Sequence, residues 1–383
     1  MKIIKPIPIT DAKLYTQNVT GDIPHSAWAS GSTYAAGDYV SVDSPSSTVT
    51  MTAATPAVIT WANHGFPVDT PIVFTTSGAL YSGITAGRAY FIYSVTTNTF
   101  QVCSEIGGAP IQTYGSQSGT HTATASTHKW YESLQAGNTG RIPRLTANSA
   151  WWLDRGNTNA WLHYDESLTS QMVADGTFCT FTLTSPLDSF ILFNVSAASV
   201  RVIVTGTTEG IVYDETASLV DHGNIGTFWE WFFIPRRRKK IFAITDLPPV
   251  NSGTLTWYVT ETNADSTVRV GKVVIGMSID IGDTLYGARL SSTDWSVKTL
   301  DTWGNYTFVE GNYNSKGNFT VTVDHEDVDT VFDILAENQA RPAVYIGHED
   351  YKNSIAYGIA QDAEIAIEYP TVSILTFQVE GLT

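Results

Sequence analysis

The sequence predicts a mainly β protein: several small β-sandwich or barrel domains, with one helix in a C-terminal β-α-β part. Three features point there. Charged residues make up 15% of the 383 positions, where about 25% is usual. Thr, Ser, Gly and aromatics fill the gap, a mixture that suits pleated strands and turns. Short alternating apolar runs recur about every ten residues between Gly- and Asn-bearing turns. Only one stretch with clear helical spacing stands out, Asp327 to Gln339, with Val328, Val331, Phe332 and Leu335 at i, i+3, i+4 and i+7.

From the N-terminus to residue 44, and again over residues 127–150, the texture is that of one small module. Trp28 precedes a turn, Tyr34 follows it, and Gly37-Asp38 introduces Tyr39-Val40-Ser41-Val42, which alternates at strand period. The same texture resumes at His128-Lys129-Trp130-Tyr131-Glu132-Ser133. Residues 45–126 interrupt it with a nearly uncharged block of short strands flanked by Ser/Thr-rich stretches. That block reads as a small β domain inserted into a loop, which costs little because loop-closure entropy grows slowly with length.

Residues 151–170 read as a linker segment. Residues 171–282 carry a dense series of strands, expected to form a β-sandwich. Within it, Phe228 to Ile234 and Ile241 to Ile244 are read as two apolar strands joined by a basic turn. Residues 283–383 hold further strands around the one predicted helix, which Arg341-Pro342 stops.

Net charge is −16 and the isoelectric point is near 4.8. Duplex nucleic acid is repelled by such a field, so no nucleic-acid partner is expected. Cys103 and Cys179 lie in strand-like runs and are expected as buried free thiols, not a disulfide framework. Pro6 and Pro8 interrupt what would be the apolar stretch of a signal peptide. No segment approaches the ~20 apolar residues of a membrane span, so membrane insertion is not expected.

No zinc-protease, P-loop, Cys-pair or nucleophile-elbow motif occurs, and the eight histidines never pair at ligand spacing within an element. No catalytic residue, metal site or cofactor is therefore assigned, and the chain is read as a non-enzyme. The acidic run around His325-Glu326-Asp327 suits a helix start. Two sets of residues remain as candidate contacts. Trp28, Tyr34, Trp130 and Tyr131 fall near turns, where rings can stack on a sugar face or fill a small core. Arg236, Arg237, Arg238, Lys239 and Lys240 form a dense basic run in an acidic chain and are candidates for contact with acidic groups of a neighbouring subunit.

The interrupted module, Ala27 to Val42 joined to His128 to Pro143, resembles the small chitin-binding type of carbohydrate-binding module. Trp28, Trp130 and Tyr131 match its stacking aromatics, but LQAGNTG stands where that family has a paired Trp. The inserted block, from Val58 through Ile111, is similar to a repeat of phage virion proteins. Trp151-Trp152-Leu153-Asp154-Arg155-Gly156-Asn157-Thr158-Asn159-Ala160-Trp161 resembles a recurrent segment of phage tail proteins, and the C-terminal part looks like the tail-tube-related fold of distal tail proteins. These resemblances imply a virion structural protein of a tailed-bacteriophage tail tip or baseplate. It would be synthesised in the host cytoplasm, form an oligomeric ring, contact other tail proteins and touch host-surface glycans. A polysaccharide-degrading tail enzyme and a simple sugar-binding adhesin are the alternatives.

Overall fold

The computed structural model describes the chain except residues 20–25, 185, 222–226, 234–236, 263–266, 301, 312, 340, 349–350, 352–353, 368 and 383. The protein is mainly β and divides into two compact units, Ile9–Trp161 and Met1–Pro8 with Leu162–Thr383.

The unit Ile9–Trp161 contains a closed six-stranded barrel. Its strands run in the order Thr99–Cys103, Ile59–Thr60, Ser46–Met51, His121–Ala125, Pro71–Thr76 and Ala89–Val95. Closure leaves the sheet no free edge. Alternation fills the inside: Ile72 and Phe74 from one strand and Ala123 and Ala125 from the next join Tyr90, Ile92 and Phe100. The small alanines face the bulky rings of the neighbouring strand, so side chains interdigitate instead of clashing.

The barrel's two ends are stapled together. Ala125 N–H donates to the Pro45 carbonyl, and the amides of Thr127 and His128 both donate to the Asp43 carbonyl. Beside it lies a second sheet, in the order Trp152–Asn157, Lys129–Ser133, Tyr39–Val42 and Ser26–Ala27. This sheet corrects the expected linker: Trp152–Asn157 is a strand antiparallel to Lys129–Ser133, and Trp152 is buried with Tyr34, Val40, Val42 and Tyr131. A domain this small needs large rings to make a core, so Trp152 serves the module rather than a connection.

In the other unit, the sheet containing Gly210–Ser218, Ser199–Gly206, Gly253–Thr260 and Thr177–Leu183 contacts a three-stranded sheet of Ile241–Ile244, Ser189–Phe193 and Lys272–Gly276. Phe190 meets Trp257 across the two sheets at 6.3 Å between ring centroids. Every residue of Ser189–Phe193 is buried. Successive side chains of a strand point to opposite faces, and both faces here are covered: Ile191 and Phe193 pack with Val344, Ile346 and Tyr357 of the C-terminal sheet.

That C-terminal sheet has the order Ser278–Asp280, Lys2–Ile4, Ala343–Ile346, Ile355–Ala366, Val372–Gly381, Tyr313–Asp324 and Asp283–Thr284, with Arg289–Asp294 also paired to Tyr313–Asp324. Two domain boundaries are corrected by it. Lys2–Ile4 pairs with Ala343–Ile346, so the N-terminal residues belong here and not with the small module. Ser278–Asp280 also belongs here, before the expected boundary at 282.

Two α-helices stand in the described residues, α1 (Phe228–Phe233) and α2 (Val328–Glu337). Helix α2 lies where the apolar spacing predicts, with a difference in its buried stripe. Val331 and Leu335 pack on the sheet residues Phe319, Val321 and Phe377, with Val328 and Ile334 at the margin. Phe332 is exposed. Helix α1 corrects the predicted strand over the same residues, and with it the hairpin. Trp229 and Phe233 sit one helical turn apart with ring centroids 5.4 Å apart, a spacing that favours a helix when no sheet offers a face to bury. The chain beyond does not return against α1. Arg237–Arg238 pairs with Val220–Asp221, and Ile241–Ile244 pairs with Ser189–Phe193.

Candidate functional site

The four aromatics singled out in the small module separate into two kinds. Tyr34 and Tyr131 are buried. Tyr34 meets Trp152 edge to face at 5.2 Å, and its hydroxyl accepts from the Ala29 amide at 2.8 Å. Burial, aided by the Asp154 charge, pushes the Tyr131 phenol far above its ordinary value. These two are therefore corrected from sugar-stacking candidates to core residues, because neither ring face is reachable.

Trp28 is half-buried against the same core. Trp130 is half-buried on the opposite face of its strand, where it packs on Tyr39 at 5.4 Å. Beside them Arg155 pairs with Glu132. Tyr39 is the residue that sequence reasoning missed. Its alternation with buried Val40 was the available signal, since neighbours in a strand face opposite ways. The accessible aromatic platform of this face is thus Tyr39 with Trp130.

A second constellation was invisible in the sequence. His128 sits where the chain leaves the barrel, with a left-handed backbone at φ 45°. Its Nε2 lies 2.9 Å from Asp11 Oδ1, and its Nδ1 lies 3.8 Å from Asp43 Oδ1. Ser126 Oγ donates to the other oxygen of Asp11 at 2.6 Å. Burial pulls the imidazole pKa down, but the two carboxylates outweigh it and hold it above the ordinary value. Asp43 is lowered chiefly by its bond to His128. In Asp11 burial pulls upward, and His128 together with the Ser126 and Ser44 hydroxyls outweighs it. The imidazole joins three segments far apart in sequence, so the arrangement holds the neck of the barrel.

In the other unit, Lys272 is buried, and its Nζ donates to the backbone carbonyls of Tyr164, at 3.1 Å, and Asp165. Burial pulls its pKa down to about 8. His163 beside it is fully enclosed and pushed down to about 3, by burial first and then by the Lys272 charge. It is neutral, a packed ring and not a base. Cys179 is buried and outside any disulfide, with its thiol pushed up to about 12 by burial. Such a thiol is inert. Cys103 is likewise buried and free. No cluster of three or more metal-ligating side chains occurs among the described residues.

Of the basic run, Arg236 lies outside the described residues. Arg238 forms a bidentate pair with Glu261 of its own chain, one arm at 2.9 Å, and the Glu261 side chain is nearly buried. Its acidic partner is internal, which corrects the expectation that this cation reaches for a neighbour. Arg237 and Lys240 are exposed and Lys239 is half-exposed. Among the described residues none of the three forms an ion pair.

One surface stands apart from all of these. After Arg289–Asp294 the chain continues into a two-stranded hairpin, Val297–Leu300 against Tyr306–Val309. Val297, Leu300, Tyr306, Phe308 and Val309 are exposed there, as are Trp295 and Trp303, the latter 87% exposed. Register places Val297 opposite Val309, and Leu300 opposite Tyr306. Apolar side chains therefore occupy both faces of the hairpin. Neither a known protein family nor a curated protein matches the sequence.

Proposed function

We propose that the chain is a virion structural protein of a tailed-bacteriophage tail tip or baseplate that works as an assembled ring of copies. The observation that carries this reading is the apolar hairpin Val297–Val309. A two-stranded ribbon is at best marginally stable in water, and a contiguous apolar surface of this kind calls for a covering partner. A second copy of the chain, bound through short-range apolar contact, is that partner. The long-range repulsion between chains of charge −16 is largely screened beyond about 8–10 Å at physiological salt, so contact energy decides the outcome. The module resemblances quoted above support the same assignment, with other tail proteins as further neighbours.

A glycan contact is a second reading, favoured by Tyr39 and Trp130 side by side on one outward face beside the Glu132–Arg155 pair. Imaging the purified chain by negative-stain electron microscopy tests the main reading: rings of uniform size are expected. Release of reducing ends from host polysaccharides, with only single particles on the grid, would favour the enzyme alternative instead.

A further inference from the structure

Four stretches distant in sequence converge on the imidazole of His128. The N-terminal arm, residues 9–14, brings Asp11, whose Oδ1 lies 2.9 Å from His128 Nε2. The two chain crossings at the neck of the barrel bring Asp43 with Ser44, and Ser126 with His128 itself. The Ser126 and Ser44 hydroxyls both donate to Asp11 Oδ2, at 2.6 and 3.4 Å. The stretch after Trp152–Asn157 brings the Trp161 indole, which covers a face of the ring, and the Thr158 amide, which donates to the His128 carbonyl at 2.8 Å. The neck holds itself through backbone bonds to the Asp43 carbonyl. The arm has no such tie. Among the described residues, its hydrogen bonds to the neck all end on the Asp11 carboxylate, while the amides of Lys13 and Leu14 turn back on the arm's own Thr10 carbonyl.

We propose that His128 is a pH-controlled latch, which grips the N-terminal arm against the neck of the barrel when its ring is protonated and loosens it when the ring is neutral. Donor chemistry carries the argument. Both ring nitrogens face carboxylates, Nε2 toward Asp11 and Nδ1 toward Asp43 at 3.8 Å. Only the imidazolium has an N–H on each. The neutral ring serves one carboxylate, by a weaker bond, and turns a lone pair on the other. Asp11 and Asp43 then also lose the cation between them, and Asp11 already raises the cost of the Asp43 charge. The His128 side chain is 12% exposed, so little water reaches the ring to replace the lost donor. The charges acting on the ring are those two carboxylates. Lys129, next in the chain, is turned to Asp154 at 2.7 Å, and Trp161 adds a ring without charge. The carboxylates outweigh burial and hold the imidazole above its ordinary 6.5, so the grip is full below about 6.5 and loosens as pH rises through the raised value. The inference does not rest on the tail-tip reading.

The test is hydrogen–deuterium exchange of the full chain read by mass spectrometry, with each rate divided by its intrinsic value at the same pH. Protection of the amides in residues 9–14 is expected to fall about tenfold between pH 5.5 and pH 9, the loss of one charge-assisted hydrogen bond. Protection of Lys129–Ser133 is expected to hold. Asp11→Asn keeps an acceptor for Ser126 and leaves His128, Asp43 and Trp161 in place. Its arm is expected to be less protected at pH 5.5 and to show no fall. His128→Gln, uncharged at both pH values, is expected to behave in the same way. Thermal unfolding checks the fold of each variant, and Asp11→Asn decides the matter if His128→Gln misfolds. A wild-type arm equally protected at both pH values, or a fall that persists in folded Asp11→Asn, would overturn the proposal. So would equal falls in the arm and in Lys129–Ser133, which would mark a general loosening at alkaline pH.

Discussion

The imidazole of His128 lies flat on the indole of Trp161, with ring centroids 3.8 Å apart and planes 6° apart. Its two nitrogens face Asp11 and Asp43 at the edge of that stack. The stack shields the ring faces from water, and the carboxylates supply the charge that burial alone would deny it. An imidazolium over an aromatic face gains a cation–π attraction as well.

This geometry makes stability depend on pH in a defined direction. The His128 pKa is raised above 6.5 in the folded protein, so its contribution is full below about 6.5 and is lost as pH rises through the raised value. Asp11 and Asp43 are lowered below 3.8, so their contribution is present above about 4 and is lost as pH falls through the lowered values. The clamp is therefore strongest between these limits. His128→Gln should lower stability by about 1.5–3 kcal/mol near pH 5.5, as expected for lost hydrogen bonds to charged groups. The loss should shrink at pH 9. Urea unfolding of both proteins at the two pH values measures it, and a pH-independent difference would refute the clamp.

The barrel has its own core, separate from that of the neighbouring small sheet. Deleting Pro45 to Ser126 across a short Gly/Ser bridge should leave the remaining strands folded, because Asp43 and Thr127 are already adjacent through the Thr127 N–H to Asp43 carbonyl bond of 2.8 Å. Some loss is expected even so. Arg144 donates from Nε to the His64 carbonyl at 2.6 Å and lies over the Phe66 ring, and the deletion removes both partners. Thermal unfolding monitored by circular dichroism decides the matter: absence of a cooperative transition would show that the small sheet needs the barrel.

Core and surface aromatics of the small module should separate cleanly. Trp152 is buried against Tyr34 and donates from Nε1 to the Arg141 carbonyl at 2.9 Å. Trp152→Ala should therefore cost about 3–5 kcal/mol. Tyr39→Ser and Trp130→Ser should each cost far less and should lower any retention on immobilised glycan. Melting temperatures and affinity electrophoresis on chitin-type polysaccharides measure the two effects. A large loss of stability from Tyr39→Ser would place that ring in the core.

The legible parts of this fold are those written in local periodicity. Several barrel strands alternate, as in His121–Ala125, where residues 121, 123 and 125 are buried and 122 and 124 are less so. Helix α2 was legible from spacing, although Phe332 was assigned to the wrong side because a wide apolar arc leaves its rotation undetermined. What failed was long-range. Lys2–Ile4 joins a sheet whose nearest strands begin at residues 278 and 343, and nothing local to a three-residue strand announces that. His128 finds Asp11 across 117 positions. The aromatic run at Phe228 has high strand propensity, yet it forms a helix in which Trp229 and Phe233 meet one turn apart. Tyr39 was within reach of the sequence, since it precedes buried Val40, but its ring gained meaning only beside Trp130.

The proposed assembly rests on the apolar hairpin Val297–Val309 holding copies of the chain together. Light scattering coupled to size-exclusion chromatography tests it most directly, on the wild type and on a variant with Val297, Leu300, Tyr306 and Phe308 changed to Ser. A wild-type assembly of several copies is expected, and a folded variant with the 41.7 kDa mass of one chain. A wild type that elutes as a single chain at every concentration, or a folded variant that assembles as the wild type does, would contradict it.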